Sequence, residues 1–249
     1  MIEARNITKS FNGKTILKDF SIIFEQGKTN LIIGQSGSGK TVLLKCLVGL
    51  YKVDSGTVLY DNQDFFSMNF KEKKKIRKEI GMLFQGGALF DSQTVEENVS
   101  FPLSMFTNMT EEEKRDRANF CLNRVNLVNT NRLYPAELSG GMKKRVAIAR
   151  AIATQPKYLF CDEPNSGLDP KTSIVIDQLI KELTDEYNIT TVVITHDMNS
   201  VVEIGEKIAF IYKGEKLWEG TKSEILNTDN PEVLSFVYAS KFMMELRKR

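Results

Sequence analysis

The 249-residue chain lacks most features of a secreted, stapled or membrane-embedded protein. It has only three cysteines, Cys46, Cys121 and Cys161, widely separated, in no CxxC pair and each within an apolar run. That usage predicts buried, reduced thiols in a cytosolic protein, and a chain of this length needs no disulfide or metal staple to close its core. No apolar stretch approaches the ~20 residues of a membrane-spanning helix. The first residues, MIEARNITKSF, carry acid and base where a signal peptide needs an apolar core. A soluble, cytoplasmic chain is expected, with any membrane role exerted through a partner. Excess charge is also missing: 34 Lys+Arg against 32 Asp+Glu leave +2, too balanced for nucleic acid as the main partner. Low-complexity segments, repeats and long linkers are absent, and 41% apolar with 27% charged residues is an ordinary globular balance.

What is present is strand–helix alternation. Residues 2–8, 16–24, 29–33 and 57–60 read as β-runs, interrupted by a helix starting near Gly39. Residues 94–153 read as helix-rich, with Thr94/Glu97 and Thr110/Glu113 spaced as capping boxes. From 157 the alternation resumes: strand 157–161, helix 170–187, strand 190–195, helix 197–204, strand 207–212, and a turn at Gly214 into 216–219. A mainly parallel α/β sheet follows, with the helical middle as an inserted lobe and a final helix over 231–246.

The chemistry begins after the 29–33 strand. Gly34-Gln35-Ser36-Gly37-Ser38-Gly39-Lys40-Thr41 satisfies GxxxxGK[ST]. Glycines let successive backbone N–H groups curl around a phosphate, and the helix that follows aims its positive end at the same anion. Lys40 is suited to the β- and γ-phosphates, and the Thr41 hydroxyl to Mg²⁺. Three further strands end in polar residues: GMLF at Gln85, YLFC at Asp162-Glu163-Pro164 and VVIT at His196-Asp197. Ligands bind beyond the carboxyl ends of strands in open α/β sheets, so these ends should converge on one nucleotide. Asp162 is placed to hold Mg²⁺, Glu163 to orient and deprotonate the attacking water, and the lone histidine, His196, to donate to the γ-phosphate or that water. Gln85 suits Mg²⁺ or the lytic water. Side chains alternate along a strand, so Pro164 is expected to break it and bring both acids forward.

A second bare helix start lies at Leu138-Ser139-Gly140-Gly141-Met142, with Ser139 as N-cap. Two glycine-rich helix starts accompany a single phosphate loop. Either the second is structural, or it completes a site in another copy across a two-fold. The following Lys143-Lys144-Arg145 reads as a solvated helix face.

Together these motifs resemble the ATPase subunit of ATP-binding cassette (ABC) transporters over essentially the whole chain. LSGGM is similar to the family signature and Ser166-Gly167-Leu168-Asp169 to its D-loop. The resemblance implies an α/β P-loop NTPase core (1–86 and 154–228), an N-terminal antiparallel β region, a helical subdomain (87–153) and a C-terminal tail (229–249). It implies two MgATP between two head-to-tail copies, with Ser139, Gly140 and Gly141 touching the γ-phosphate in trans. Asp169 would join that site and Phe11 would stack on adenine; a lone Phe also serves as core. It further implies location on the cytoplasmic face of the inner membrane through a permease helix seated near Gly86–Phe90. Met142 replaces the usual Gln of the signature, and Asn165 a usual Thr. LSGGMKKRVAIARAIA, residues 82–90 and Asn98-Val99…Pro102-Leu103 most resemble the Mla-type ATPase, which works with Mce-domain proteins in phospholipid transport between bacterial membranes. Alternatives are another permease, or a cell-division-type complex that moves no substrate.

Overall fold

A computed structural model describes residues 1–239. In chain order the elements are β1 (Ile2–Phe11), β2 (Lys14–Phe24), β3 (Thr29–Ile33), α1 (Lys40–Leu47), β4 (Ser55–Tyr60), β5 (Gln63–Asp64), α2 (Phe70–Lys78) and β6 (Ile80–Leu83). Then come α3 (Val95–Phe106), α4 (Glu111–Arg124), α5 (Gly140–Ile152), β7 (Tyr158–Asp162), α6 (Pro170–Tyr187), β8 (Thr190–Thr195) and α7 (Met198–Ile204). β9 (Lys207–Tyr212), β10 (Glu215–Gly220), α8 (Lys222–Leu226) and α9 (Pro231–Val237) complete them.

Two sheets form. β2-β1-β4-β5 is antiparallel, and β10-β9-β3-β8-β7-β6 is parallel except at the β9–β10 edge. The central strands are covered on both faces, which is why they read as unbroken apolar runs. Their period of two still divides the core. Leu31, Ile33, Leu159, Cys161, Val193 and Phe210 face a layer that includes α3, α4, α5 and α6. Ile32, Phe160, Val192, Ile194 and Ile211 face α1 and the antiparallel sheet. The three cysteines are free and buried, and burial pushes the Cys46 and Cys121 thiols up to about 11, so they stay protonated.

Both capping boxes form: Thr94 and Thr110 accept from the N–H of Glu97 and Glu113, whose carboxylates bond back to the caps. Two helices escaped the sequence reading. α2 is short and mostly charged, with a single buried residue, Ile76, and so carries almost no apolar period. α8 spans only five residues. The strand expected to run to Phe84 ends at Leu83, leaving Phe84 exposed. Of the helix expected over 231–246, residues 231–237 form α9, with Val233 and Val237 buried. The remainder, with Met243 and the LRKR end, lies outside the described residues.

Candidate nucleotide site

The four motif-bearing strands are immediate neighbours in the sheet, in the order β3-β8-β7-β6, and all run parallel. Their carboxyl ends therefore lie side by side. A cleft of about 1340 Å³ opens over them, lined by the phosphate-loop residues Gln35, Ser36, Gly37, Gly39, Lys40 and Thr41 together with Gln85, Glu163 and His196.

The loop is built by backbone constraint. Gly34 has φ 151, and a Cβ there would lie 2.4 Å from the Ile211 carbonyl oxygen, so no side chain fits. Ser38 is buried, its Oγ without a partner among the described residues. α1 starts with no side-chain cap and no acid in its first turn, which leaves its amide ends to an incoming anion. The Lys40 amine donates to the Gly34 oxygen at 2.8 Å and the Gln35 oxygen at 3.1 Å, holding it over the loop. Burial lowers its pKa; the Glu163 and Asp162 charges push the other way.

Alternation along β7 puts Asp162 on the same face as Tyr158 and Phe160, the face covered by α1. Glu163 would then point to the opposite layer. It does not, because Glu163 itself has φ 48, a left-handed conformation that turns the chain one residue before Pro164. The expected device was the proline; the strained residue is the acid. The turn is held by the Glu163 N–H donating to the Ile194 oxygen at 2.9 Å and the Ser166 N–H to the Glu163 oxygen at 3.1 Å. His196 Nδ1 lies 2.8 Å from Glu163 Oε2, with the histidine side chain 66% exposed and the glutamate 13%.

Asp162 is buried and its Oδ1 has no hydrogen-bond partner among the described residues. Burial raises its pKa and the Glu163 charge adds to this, while Lys45, Lys40 and Lys144 oppose it. An orphaned carboxylate oxygen, with the Thr41 hydroxyl and the Gln85 amide in the adjoining cleft, fits Mg²⁺, which takes one or two carboxylates plus phosphate oxygens and water.

Phe11 is at the cleft wall, partly exposed, with Tyr51 edge-on at 5.2 Å and the Lys9 amine 5.1 Å from its ring centroid. The second glycine-rich start is elsewhere. Ser139 caps α5 by accepting from the Met142 N–H at 3.3 Å, but neither it nor Gly140 or Gly141 lines this cleft. Gly141 lies against α6: a Cβ there would be 2.7 Å from Thr172 Cγ2. Asp169 does not line the cleft either. Its carboxylate caps α6, accepting from the Thr172 N–H at 3.0 Å and the Thr172 hydroxyl at 2.5 Å.

A family model described as ABC transporter matches residues 17–166. The chain belongs to the ABC transporter family. It is similar to the "Probable ribonucleotide transport ATP-binding protein mkl" of Mycobacterium leprae, 35% identical over 95% of this chain and 68% of that protein. It is 40% identical to the "Methionine import ATP-binding protein MetN 2" of Bacillus cereus over 88% of this chain and 66% of that protein. The chain thus spans about two thirds of the length of these curated relatives. A solved structure, "Dimeric structure of a post-hydrolysis state of the ATP-binding cassette MJ0796 bound to ADP and Pi", is 36% identical with a TM-score of 0.81 and covers 89% of this chain and 99% of its own. The fold is that of the ABC-type ATPase domain, a P-loop NTPase core with an antiparallel N-terminal sheet and a helical subdomain.

Several contributors to this ABC cleft escaped the motif reading. Asn165, singled out only as a departure from the family pattern, is buried and donates to Ser200 Oγ at 3.0 Å, joining the turn after Glu163 to α7. Phe236 of α9 packs on Phe210 at 5.3 Å and reaches the cleft. Lys144 corrects an expectation. Lys143-Lys144-Arg145 is not a uniformly solvated face: Lys144 is buried, and its amine bonds the Gln85 carbonyl. On a helical wheel position 144 falls in line with Ile148 and Ala151, four and seven residues on and both buried.

Proposed function

We propose that this chain binds and hydrolyses ATP as the motor subunit of a membrane transporter. The observation that carries the reading is the alignment of four parallel strand ends, which brings phosphate loop, carboxylate pair, glutamine and histidine to one cleft. The phosphate loop, Lys40 and the start of α1 bind the triphosphate, and Phe11 stacks on the base. Asp162, Thr41 and Gln85 hold Mg²⁺, which when bound neutralises charge developing on the phosphates. Glu163 accepts the proton of the attacking water, and His196, whose Nδ1 lies 2.8 Å from that carboxylate, steadies it. In-line attack gives ADP and phosphate.

Ser139, Gly140 and Gly141 serve the site of a second copy, with Asp169 at the same junction. Two head-to-tail chains then complete two sites, and the solved relative described as dimeric supports this arrangement. No helix among the described residues is long and apolar enough to cross a membrane. Coupling therefore runs through an integral permease, seated near Gly86–Phe90. There Phe90 is partly exposed against Phe101 at 4.7 Å, and Met105 is exposed one turn further along α3.

For the cargo, the LSGGMKKRVAIARAIA segment and residues 82–90 support phospholipid, with an Mce-domain partner. The relatives' names favour a second reading, transport of a small solute such as the ribonucleotide or methionine they name. Gentle extraction from native membranes followed by mass spectrometry of what co-purifies tests the two. A permease with an Mce-domain protein and bound phospholipid supports the first reading, and a permease with a solute-binding protein and no lipid supports the second.

A further inference from the structure

Helix α5 grips the loop that follows β6 at three carbonyls. The Arg150 guanidinium donates to the Gly87 oxygen at 2.6 Å and the Ala88 oxygen at 2.7 Å. The Lys144 amine bonds the Gln85 oxygen and lies 3.5 Å from the Glu163 oxygen. From the other side Asn98 closes the loop, accepting from the Phe90 N–H at 2.8 Å and donating to its carbonyl at 3.1 Å. The loop is therefore carried by α5 and α3. Among these contacts, Lys144 is the one that also reaches the turn bearing Glu163.

A buried ammonium is costly unless its protons are satisfied, and here backbone carbonyls do so. Burial lowers the amine's pKa, the expected cost of that position, while the Asp162 and Glu163 charges favour the charged form. A methionine or leucine would fill the same space without that cost. Retaining a charge is therefore explained by what it joins.

We propose that Lys144 is a positioning residue for hydrolysis. By holding the carbonyls of Gln85 and Glu163 together, it fixes the glycine-rich start of α5 in register with the catalytic turn of the same chain. The glutamine loop, the signature helix and the general base then move as one unit when a second copy docks. The inference rests on the assignment of Glu163 as the base.

The test compares Lys144→Met, Lys144→Gln and Lys144→Arg with wild type in the full chain, measuring kcat, KM for ATP and Tm. Lys144→Met keeps length and volume but removes all donors; it is expected to lower kcat about tenfold or more with KM within about twofold. Lys144→Arg, which restores charge and donors, is expected to recover at least a third of wild-type kcat. If Lys144→Met does not fold, Lys144→Gln is read in its place, with a three- to tenfold loss in kcat at unchanged KM. Wild-type kcat in the neutral variants, or a loss in kcat matched by an equal rise in KM and failure of Arg to rescue, overturns the proposal. Glu163→Gln in the Lys144 wild-type background separates the two readings. If that variant turns over normally, the base assignment fails; if it is inactive while Lys144→Met is normal, only the Lys144 proposal fails.

Discussion

Among the described residues two helices start from glycine-rich turns, α1 after Gly39 and α5 at Gly140, and they are built differently. α1 starts without a side-chain cap inside the cleft, its lysine folded over the loop and its glycines locked by contacts such as Gly34 against Ile211. α5 starts at the surface, capped by Ser139, outside the cleft that the other motifs share. One start lines the cleft that the other motifs share; the other lies outside that cleft, its Ser139 hydroxyl accepting from the Met142 N–H. Glycine richness alone therefore does not say which site a helix start serves. What decides is where the sheet places it.

The largest effect on the first of these regions should come from Glu163→Gln. Hydrolysis is expected to fall by about 10²–10⁴, the contribution of a general base, with ATP binding retained and a dimer accumulating. Phosphate release and size-exclusion chromatography with ATP check this, and a wild-type rate removes Glu163 from its role. Next, Lys40→Ala should weaken ATP binding by about 10–100-fold, since it deletes charge-assisted bonds to phosphate. Unchanged affinity by calorimetry would break the assignment of α1 as the phosphate end. Gly140→Asp should do the reverse. A Cβ there meets only Leu168 at 3.6 Å, so the isolated chain should accept it with unchanged Tm and ATP affinity. An added anion at the shared γ-phosphate should cut turnover about tenfold or more.

The smallest effect on activity concerns the support beneath the strand ends. Asp177 on α6 is buried near Ser200 and Asn165; burial raises its pKa to about 6, and these two polar side chains pull the other way. A folded-state pKa above the unfolded one means the native state binds the proton more tightly. This group's contribution is thus most favourable at low pH and is lost as pH rises from about 4 through 6. Asp177→Asn should therefore raise stability at pH 7.5 by about 1–3 kcal/mol and flatten that pH dependence, while leaving ATP affinity unchanged. Thermal melts from pH 4.5 to 8 read it directly.

Much of this was legible in the residues. The boundaries of α6, β8 and β9 follow the apolar pattern and its punctuation, because buried strands and a Pro-started, Asp-capped helix carry strong local signals. The convergence of Gln85, Glu163 and His196 followed from one rule about strand ends. What escaped was non-local. The left-handed turn at Glu163 is a strain no composition reports, and the burial of Lys144 depends on a carbonyl 59 residues away. α2 was missed because charge dominates it and tertiary contact at Ile76 holds it.

The account stands on α5 of one copy completing the site of another. The most direct measurement mixes two impaired chains, Lys40→Ala and Gly140→Asp, and follows ATP retention and hydrolysis. Head-to-tail pairing places both lesions in one of the two sites and leaves the other intact. The mixture is therefore predicted to retain ATP and recover turnover beyond the sum of the two chains alone. A mixture no more active than the sum of its parts would mean that α5 does not complete a site in the second copy.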